Sequence, residues 1–252
     1  MPALGRRLPS PRRRAALTTA LLVAAVAAGA TACGPFEEEA SGPFKGLTGP
    51  QIVNKSIGAT KGAKSLTLDV ATTSADGPLK AYMSIDRSGQ CAGTLSVGVT
   101  GTAELIRSGG TAYMRFDEAF LREQGKGEPK EQQEAVLKML KGKWVETDAS
   151  DPEAKDSLEL CDLNALLSEF EQGVNFADAG EETTVNGKKA LRLTEGAGAE
   201  STTVYVATEG TPYLLKIVSK GGEEPGTITF SSYDKPVPAR KPAAEDVVDL
   251  ED

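Results

Sequence analysis

The chain has 252 residues, with 28 basic and 36 acidic side chains, no histidine and a net charge of −8. That acidic balance argues against a nucleic-acid partner, because phosphate binding needs basic contacts. The absence of histidine removes the commonest general base and every Ser–His–Asp or Cys–His arrangement.

The N-terminus is the most specific feature. Arg6, Arg7, Arg12, Arg13 and Arg14 precede an Ala/Leu/Val-rich run from Ala15 to Ala32. A positive start, an apolar middle and a small-residue end make a secretory signal, so residues 1–32 are expected to be removed. The run closes in Ala30-Thr31-Ala32-Cys33-Gly34, which resembles a bacterial lipobox, with Ala30 where Leu is usual. Cys33 is then the lipidation site, a thioether to diacylglycerol. Two alternatives stay open. One is ordinary secretion with Cys33 as a plain thiol. The other is a retained helix, since the run is about long enough to span a bilayer.

Removing the signal leaves 23 basic and 36 acidic residues in Cys33–Asp252, a net charge of −13. Such a surface resists flat adsorption on anionic headgroups. The expected link to the membrane is therefore the N-terminal diacylglycerol, which places the protein on the extracytoplasmic face of the cell membrane.

Residues 33–46 read as a lipidated tether. They hold Gly, Pro and an acidic cluster at Glu37–Glu39, with no periodic apolar face. A flexible stretch of this length spans on the order of 20 Å. The folded domain is expected over residues 47–236. Leu47–Lys61 reads as a helix, with Ile52, Val53 and Ile57 at helical spacing, Thr48 as cap and Gly62 as stop. The period then changes to two. Leu66, Leu68 and Val70 alternate with polar neighbours, as do Ala81, Met83 and Ile85, then Leu95, Val97 and Val99. Such alternation marks antiparallel strands with one apolar face. Strands at Ala103–Arg107 and Thr111–Phe116 flank a Ser108-Gly109-Gly110 turn.

The middle is helical, over Asp117–Gln124, Glu131–Lys141 and Leu163–Gln172. In the last of these, Leu163, Leu166, Leu167 and Phe170 form an i, i+3, i+4, i+7 stripe. Strands return at Glu182–Val185, Lys189–Thr194, Ser201–Val206, Tyr213–Ser219 and Gly226–Tyr233, with Asn186-Gly187 as a hairpin turn. Residues 237–252 are a Pro-rich, then acidic C-terminal tail, expected to be mostly extended or disordered. Runs of strands separated by helices give an α+β class: one curved antiparallel sheet, a half-barrel, with helices covering its concave face.

With Cys33 lipidated, Cys91 and Cys161 remain. An even pair outside the cytoplasm suggests a disulfide, closing a loop of about 70 residues. Two buried free thiols are the alternative.

Several short segments carry a resemblance. They are Gln51–Lys64 before the first strand, the Gly110–Tyr113 turn, Lys141-Gly142-Lys143-Trp144-Val145, and the ending Ile228-Thr-Phe-Ser-Ser-Tyr-Asp-Lys-Pro-Val237. Together with the lipobox, they resemble LolA-like bacterial lipoproteins, in the actinobacterial LppX/LprG-type branch, over roughly residues 47–240. The resemblance implies a half-barrel with a helical lid around an apolar cavity that takes acylated lipids. Candidate cavity residues are Leu68, Val70, Met83, Ile85, Leu95, Val97, Leu166 and Phe170. The same residues could equally fill a solid core.

No catalytic, cofactor or metal motif stands out. There is no GxSxG elbow, phosphate loop or His-containing metal pattern. Two free cysteines without histidine fall short of a closed zinc site. The expected function is a non-enzymatic, membrane-anchored lipoprotein that binds or transfers a lipid. The alternative is an interaction or sensor lipoprotein, using the same fold to hold a protein partner.

Overall fold

The computed structural model describes residues 42–249, apart from 75–76, 99–100, 153, 155–157, 169–177 and 223. The expected signal segment, residues 1–32, and the candidate residues Cys33 and Phe170 lie outside the described residues.

The domain opens with a 3-10 turn at Gly42–Phe44 and helix α1, Gly49–Gly62. Gln51 secures the N-terminus of α1 by accepting the Thr48 N–H at 2.9 Å, and Pro50 sits in the first turn, where its missing N–H costs nothing. A first meander follows: β1 (Ser65–Ser74), β2 (Gly77–Asp86), β3 (Cys91–Val97), β4 (Ala103–Ser108) and β5 (Thr111–Phe116). Helices α2 (Glu118–Gln124) and α3 (Lys130–Leu140) then precede β6 (Trp144–Asp148). A 3-10 turn at Glu159–Cys161 leads into α4, Leu163–Ser168. A second meander completes the sheet: β7 (Asp178–Val185), β8 (Lys188–Ala197), β9 (Glu200–Ala207), β10 (Leu214–Lys220) and β11 (Gly226–Ser231). Asn186 at φ 49° and Gly187 at φ 78° make the left-handed hairpin turn expected of Asn-Gly.

These strands and a twelfth, β12 (Val247–Asp249), join one sheet, in the order β12-β6-β5-β4-β3-β2-β1-β11-β10-β9-β8-β7. The two meanders meet where β1 pairs with β11. Every pairing is antiparallel except the last. There Val247–Asp249, within the C-terminal tail, adds β12 parallel to β6. Composition gave no sign of this strand. Prolines are confined to the approach, where no ladder hydrogen bond is lost, and β12 blunts what would otherwise be an open edge. Ahead of it, the Lys241 ammonium lies 5.7 Å from the ring centre of Tyr113, on the outer face.

The registers place side chains in rows across the sheet. On the covered face, the first row runs Leu66–Ile85–Cys91–Arg107–Ala112. The second runs Phe230–Leu68–Met83–Gly93–Leu105–Met114–Val145. The third runs Ile228–Val70–Ala81–Leu95–Ala103–Phe116. Apolar residues of α1 (Ile52, Val53, Ile57) and α4 (Leu163, Leu167) join these rows in one core. Gly93 is required in the second row. A Cβ there would fall 2.0 Å from the Tyr82 carbonyl oxygen and 2.5 Å from the Met83 sulfur.

The strand expected to run through Val99 ends at Val97, because Gly98 turns the chain with φ 71°. Cys91 of β3 is bonded to Cys161, with their Cα atoms 5.4 Å apart. The bridge ties the segment ahead of α4 to the first row and closes a 70-residue separation. The double variant Cys91→Ser/Cys161→Ser is expected to lose roughly 4 kcal/mol of unfolding free energy. Urea denaturation read by circular dichroism measures it, and wild type under reductant should show a comparable loss.

Candidate functional site

The covered face has two different ends. At one end lie the β2–β3 and β4–β5 turns and the start of β1; at the other lie the ends of β1, β3 and β5 and the base of the α2–α3 hairpin.

The first end is closed. Ile85 and Cys91 are fully buried, and the disulfide crosses there. The C-terminus of α1 is pinned beside it. Its free carbonyls need partners, as those of any helix end do. Arg87 supplies them, donating from Nε to the Ala63 carbonyl at 2.9 Å and from its terminal nitrogen to the Lys61 carbonyl. Asp234 accepts the Lys64 N–H at 2.8 Å and the Tyr213 hydroxyl at 2.8 Å. Tyr213 stacks on Tyr233 with ring centres 3.9 Å apart. Deeper in, Thr60 accepts the Leu214 N–H at 2.9 Å, while Tyr233 donates to the Leu214 carbonyl at 2.5 Å. Burial pushes the Tyr233 phenol well above its ordinary range.

The second end is open. Burial falls row by row across the sheet. The apolar members of the first row are essentially sealed, and the second row is buried except at Gly93 and Met114. In the third row only Ala81 is buried, while Ile228, Val70, Leu95, Ala103 and Phe116 keep part of their surface in water. Leu79, one step further out, is also partly exposed. The result is an apolar mouth. Phe116 stacks on Phe120 of α2 at 4.9 Å, and so links the mouth to the hairpin. Asp117 fixes that corner: one carboxylate oxygen accepts the Phe120 N–H at 2.7 Å, the other the Thr102 N–H at 2.9 Å. Gly101, at φ 78°, allows the approach, since a Cβ there would meet the Phe120 nitrogen at 2.2 Å.

The structure gathers Leu68, Val70, Met83, Ile85, Leu95 and Leu166 into one cluster, but in two roles. Leu68, Met83 and Ile85 are buried packing; Val70, Leu95 and Leu166 lie at its edge. Val97 ends β3 opposite Leu79, and its side chain lies outside the described residues. Sequence reasoning missed Leu79, Ala103, Phe116, Phe120 and Ile228. Leu79, Ala103 and Phe116 continue rows already recognised, so correct registers from the Ser88-Gly89 and Ser108-Gly109-Gly110 turns would have found them, whereas Ile228 needs the β1–β11 pairing and Phe120 the turn at Asp117.

The α2–α3 hairpin makes a second apolar feature. Between its helices is a groove of about 510 Å³, lined by Leu121, Gly125, Gln133, Ala135 and Val136. Among the described residues no three Cys, Asp or Glu converge on a metal position. No described helix is long and apolar enough to cross a membrane.

The sequence matches no known family model, nor any curated protein. Among solved structures it resembles LprF from Mycobacterium bovis, at 15% identity over 77% of this chain and 97% of that one, with a TM-score of 0.50. It is also similar to the lipoprotein LppX of Mycobacterium tuberculosis, at 16% identity over 76% and 97% of the two chains, with a TM-score of 0.46. The likeness to LprF shows the fold: a curved, mostly antiparallel sheet like that protein's, here with twelve strands among the described residues.

Asp234 gives this arrangement a pH dependence. The Lys64 N–H, and next the Tyr213 hydroxyl, hold its carboxyl below the ordinary range. A lowered folded-state pKa contributes stability above the unfolded value of about 3.9 and loses it as pH falls through the lower folded value. Asp234→Ala should therefore lower the urea midpoint at pH 7, and the gap to wild type should narrow progressively below pH 4. An unchanged gap from pH 7 to pH 2 would contradict this role.

Proposed function

We propose that the protein is a lipid-anchored extracytoplasmic lipoprotein that binds or passes on an acyl chain through the open end of its half-barrel. The observation that carries this reading is the gradient of burial across the apolar rows. A face packed only for stability gains by sealing every row, whereas this one leaves Val70, Leu95, Ala103, Phe116 and Ile228 partly open together. Ligand sites are typically concave and apolar with few polar groups. Each CH₂ moved from water into such a mouth contributes about 0.8 kcal/mol, so an acyl chain needs no polar recognition to bind.

The anchor follows from the Ala30-Thr31-Ala32-Cys33 signal. Diacylglycerol on Cys33 supplies two chains, enough for stable attachment. Residues 1–32 act as the export signal and 33–46 as the tether.

Two measurements test the reading. Mass spectrometry of lipid extracted from the purified mature protein should find an acylated lipid. Ala103→Trp, which fills the mouth, should cut that yield about tenfold with the unfolding midpoint kept within a few degrees. The outer-face variant Tyr82→Ala should retain it. Wild type free of lipid would sink the carrier reading in favour of a protein-binding scaffold. Separately, Cys33→Ser should move the protein from the membrane fraction to the medium and abolish labelling by radioactive palmitate.

A further inference from the structure

The α2–α3 hairpin is a poor fit to a protein that simply shields its core. Val136 is 40% exposed and Met139 47%, and they share a face of α3 with exposed Ala135. Leu137 points the opposite way and is buried. Helix α3 thus has apolar residues on both sides, and only one side is used within the fold. The groove beside Val136 is open as well.

The charge is also unusual. Residues 118–143 carry six basic and five acidic side chains, whereas the rest of the mature chain carries 17 basic and 31 acidic. Several hairpin cations are already paired: Arg122 and Lys141 with Glu118, Lys126 with Glu123, and Lys143 with Asp246. Lys138, which flanks the apolar face of α3, has no ion pair among the described residues. The hairpin is therefore close to neutral, and an anionic headgroup layer repels it less than it repels the acidic average of the remaining chain.

We infer that the hairpin seats on the outer leaflet of the membrane that carries the protein, with Val136 and Met139 entering the headgroup–acyl boundary. This rests on the lipid-anchored reading above. Three points favour a bilayer over a protein partner. The described domain begins at Gly42, nine residues after Cys33, so an anchored domain stays within about 30 Å of the lipid. The long cationic stem of Lys138 beside an apolar patch suits an interface, where it reaches back to the headgroups. And the base of the hairpin is the mouth: Phe116 of the third row stacks on Phe120 of α2. Seating the hairpin turns the open rows toward the bilayer. Two half-exposed side chains are too little to hold a free protein on a membrane. They suffice to orient one already held by covalent lipid.

The test uses the mature lipidated protein, its diacylglycerol confirmed by mass, in vesicles of phosphatidylethanolamine and phosphatidylglycerol. Met139→Cys is labelled with an environment-sensitive fluorophore, as is Lys80→Cys on the outer face of the sheet for comparison. The Met139 probe should shift to the blue and be quenched several-fold more by spin-labelled lipid than the Lys80 probe. Equal, weak quenching at both positions overturns the inference, as does a Met139 response that appears only when envelope proteins are added. A second variant, Val136→Asp/Met139→Asp, should slow lipid transfer between vesicles about tenfold while the lipid that co-purifies is unchanged. If wild type carries no lipid but the Met139 probe is still quenched, the carrier reading fails and the docking surface stands.

Discussion

Twelve strands in one sheet create more apolar face than the described helices cover. At a spacing near 4.8 Å the sheet is roughly 50 Å wide before it curls. An α-helix with its side chains covers a strip only about 10 Å across. Among the described residues the cover includes α1, Ala154 and Leu158, the 3-10 turn at Glu159–Cys161 and α4. Curling the sheet into a half-barrel lets so little helix seal one end, but not both. Packing then has to be concentrated, and the rows show where: Leu66, Ile85, Cys91 and Ala112 are buried, while Val70, Leu95 and Phe116 are left at the margin.

What concentrates the cover at one end is polar and covalent rather than hydrophobic. Apolar contact has no direction, so it would allow α1 and α4 to slide along the sheet. The Arg87 contacts to the Lys61 and Ala63 carbonyls, the Asp234 contact to Lys64 and the Thr60 contact to Leu214 have direction. The Cys91–Cys161 bridge adds a fixed length. All sit at the closed end. The α2–α3 hairpin is held differently. Beyond its own helix–helix contact, it is joined to the sheet chiefly through Asp117, the Phe116–Phe120 stack and the ends of its two strands. An element with so few buried contacts opens at lower free energy than the core. Directional contacts are thus concentrated at one end.

The order and type of the elements were legible because the period of two survives in nearly every strand, and because Thr48, Asp117, Asp162 and Asn186-Gly187 mark the turns and caps. The site was legible only in part. Periodicity says that Leu68 and Val70 share a face. It cannot say that the first is sealed and the second is open, since that depends on how far α1 and α4 reach. Phe116 and Phe120 read as the end of a strand and the start of a helix, and only the turn at Asp117 brings the rings together. Strand β12 was invisible for a related reason. Val247–Asp249 is too short to show a pattern, and its pairing with β6 depends on where the preceding prolines and Lys241 lead the chain.

An open apolar end also suits a carrier thermodynamically. A bilayer interior is about as apolar as the mouth, so moving a chain between them changes the free energy little. The barrier is water. At about 0.8 kcal/mol per CH₂, exposing a sixteen-carbon chain costs on the order of 10 kcal/mol. A deeper or fully sealed pocket would not lower that barrier, because the cargo would still have to cross water to enter. Bringing the third row of the sheet close to the lipid does lower it, by shortening the wet path. On this argument the half-sealed rows at Val70, Leu95 and Phe116 are not an unfinished core: the closed end supplies the stability, and that leaves the other end free to stay open.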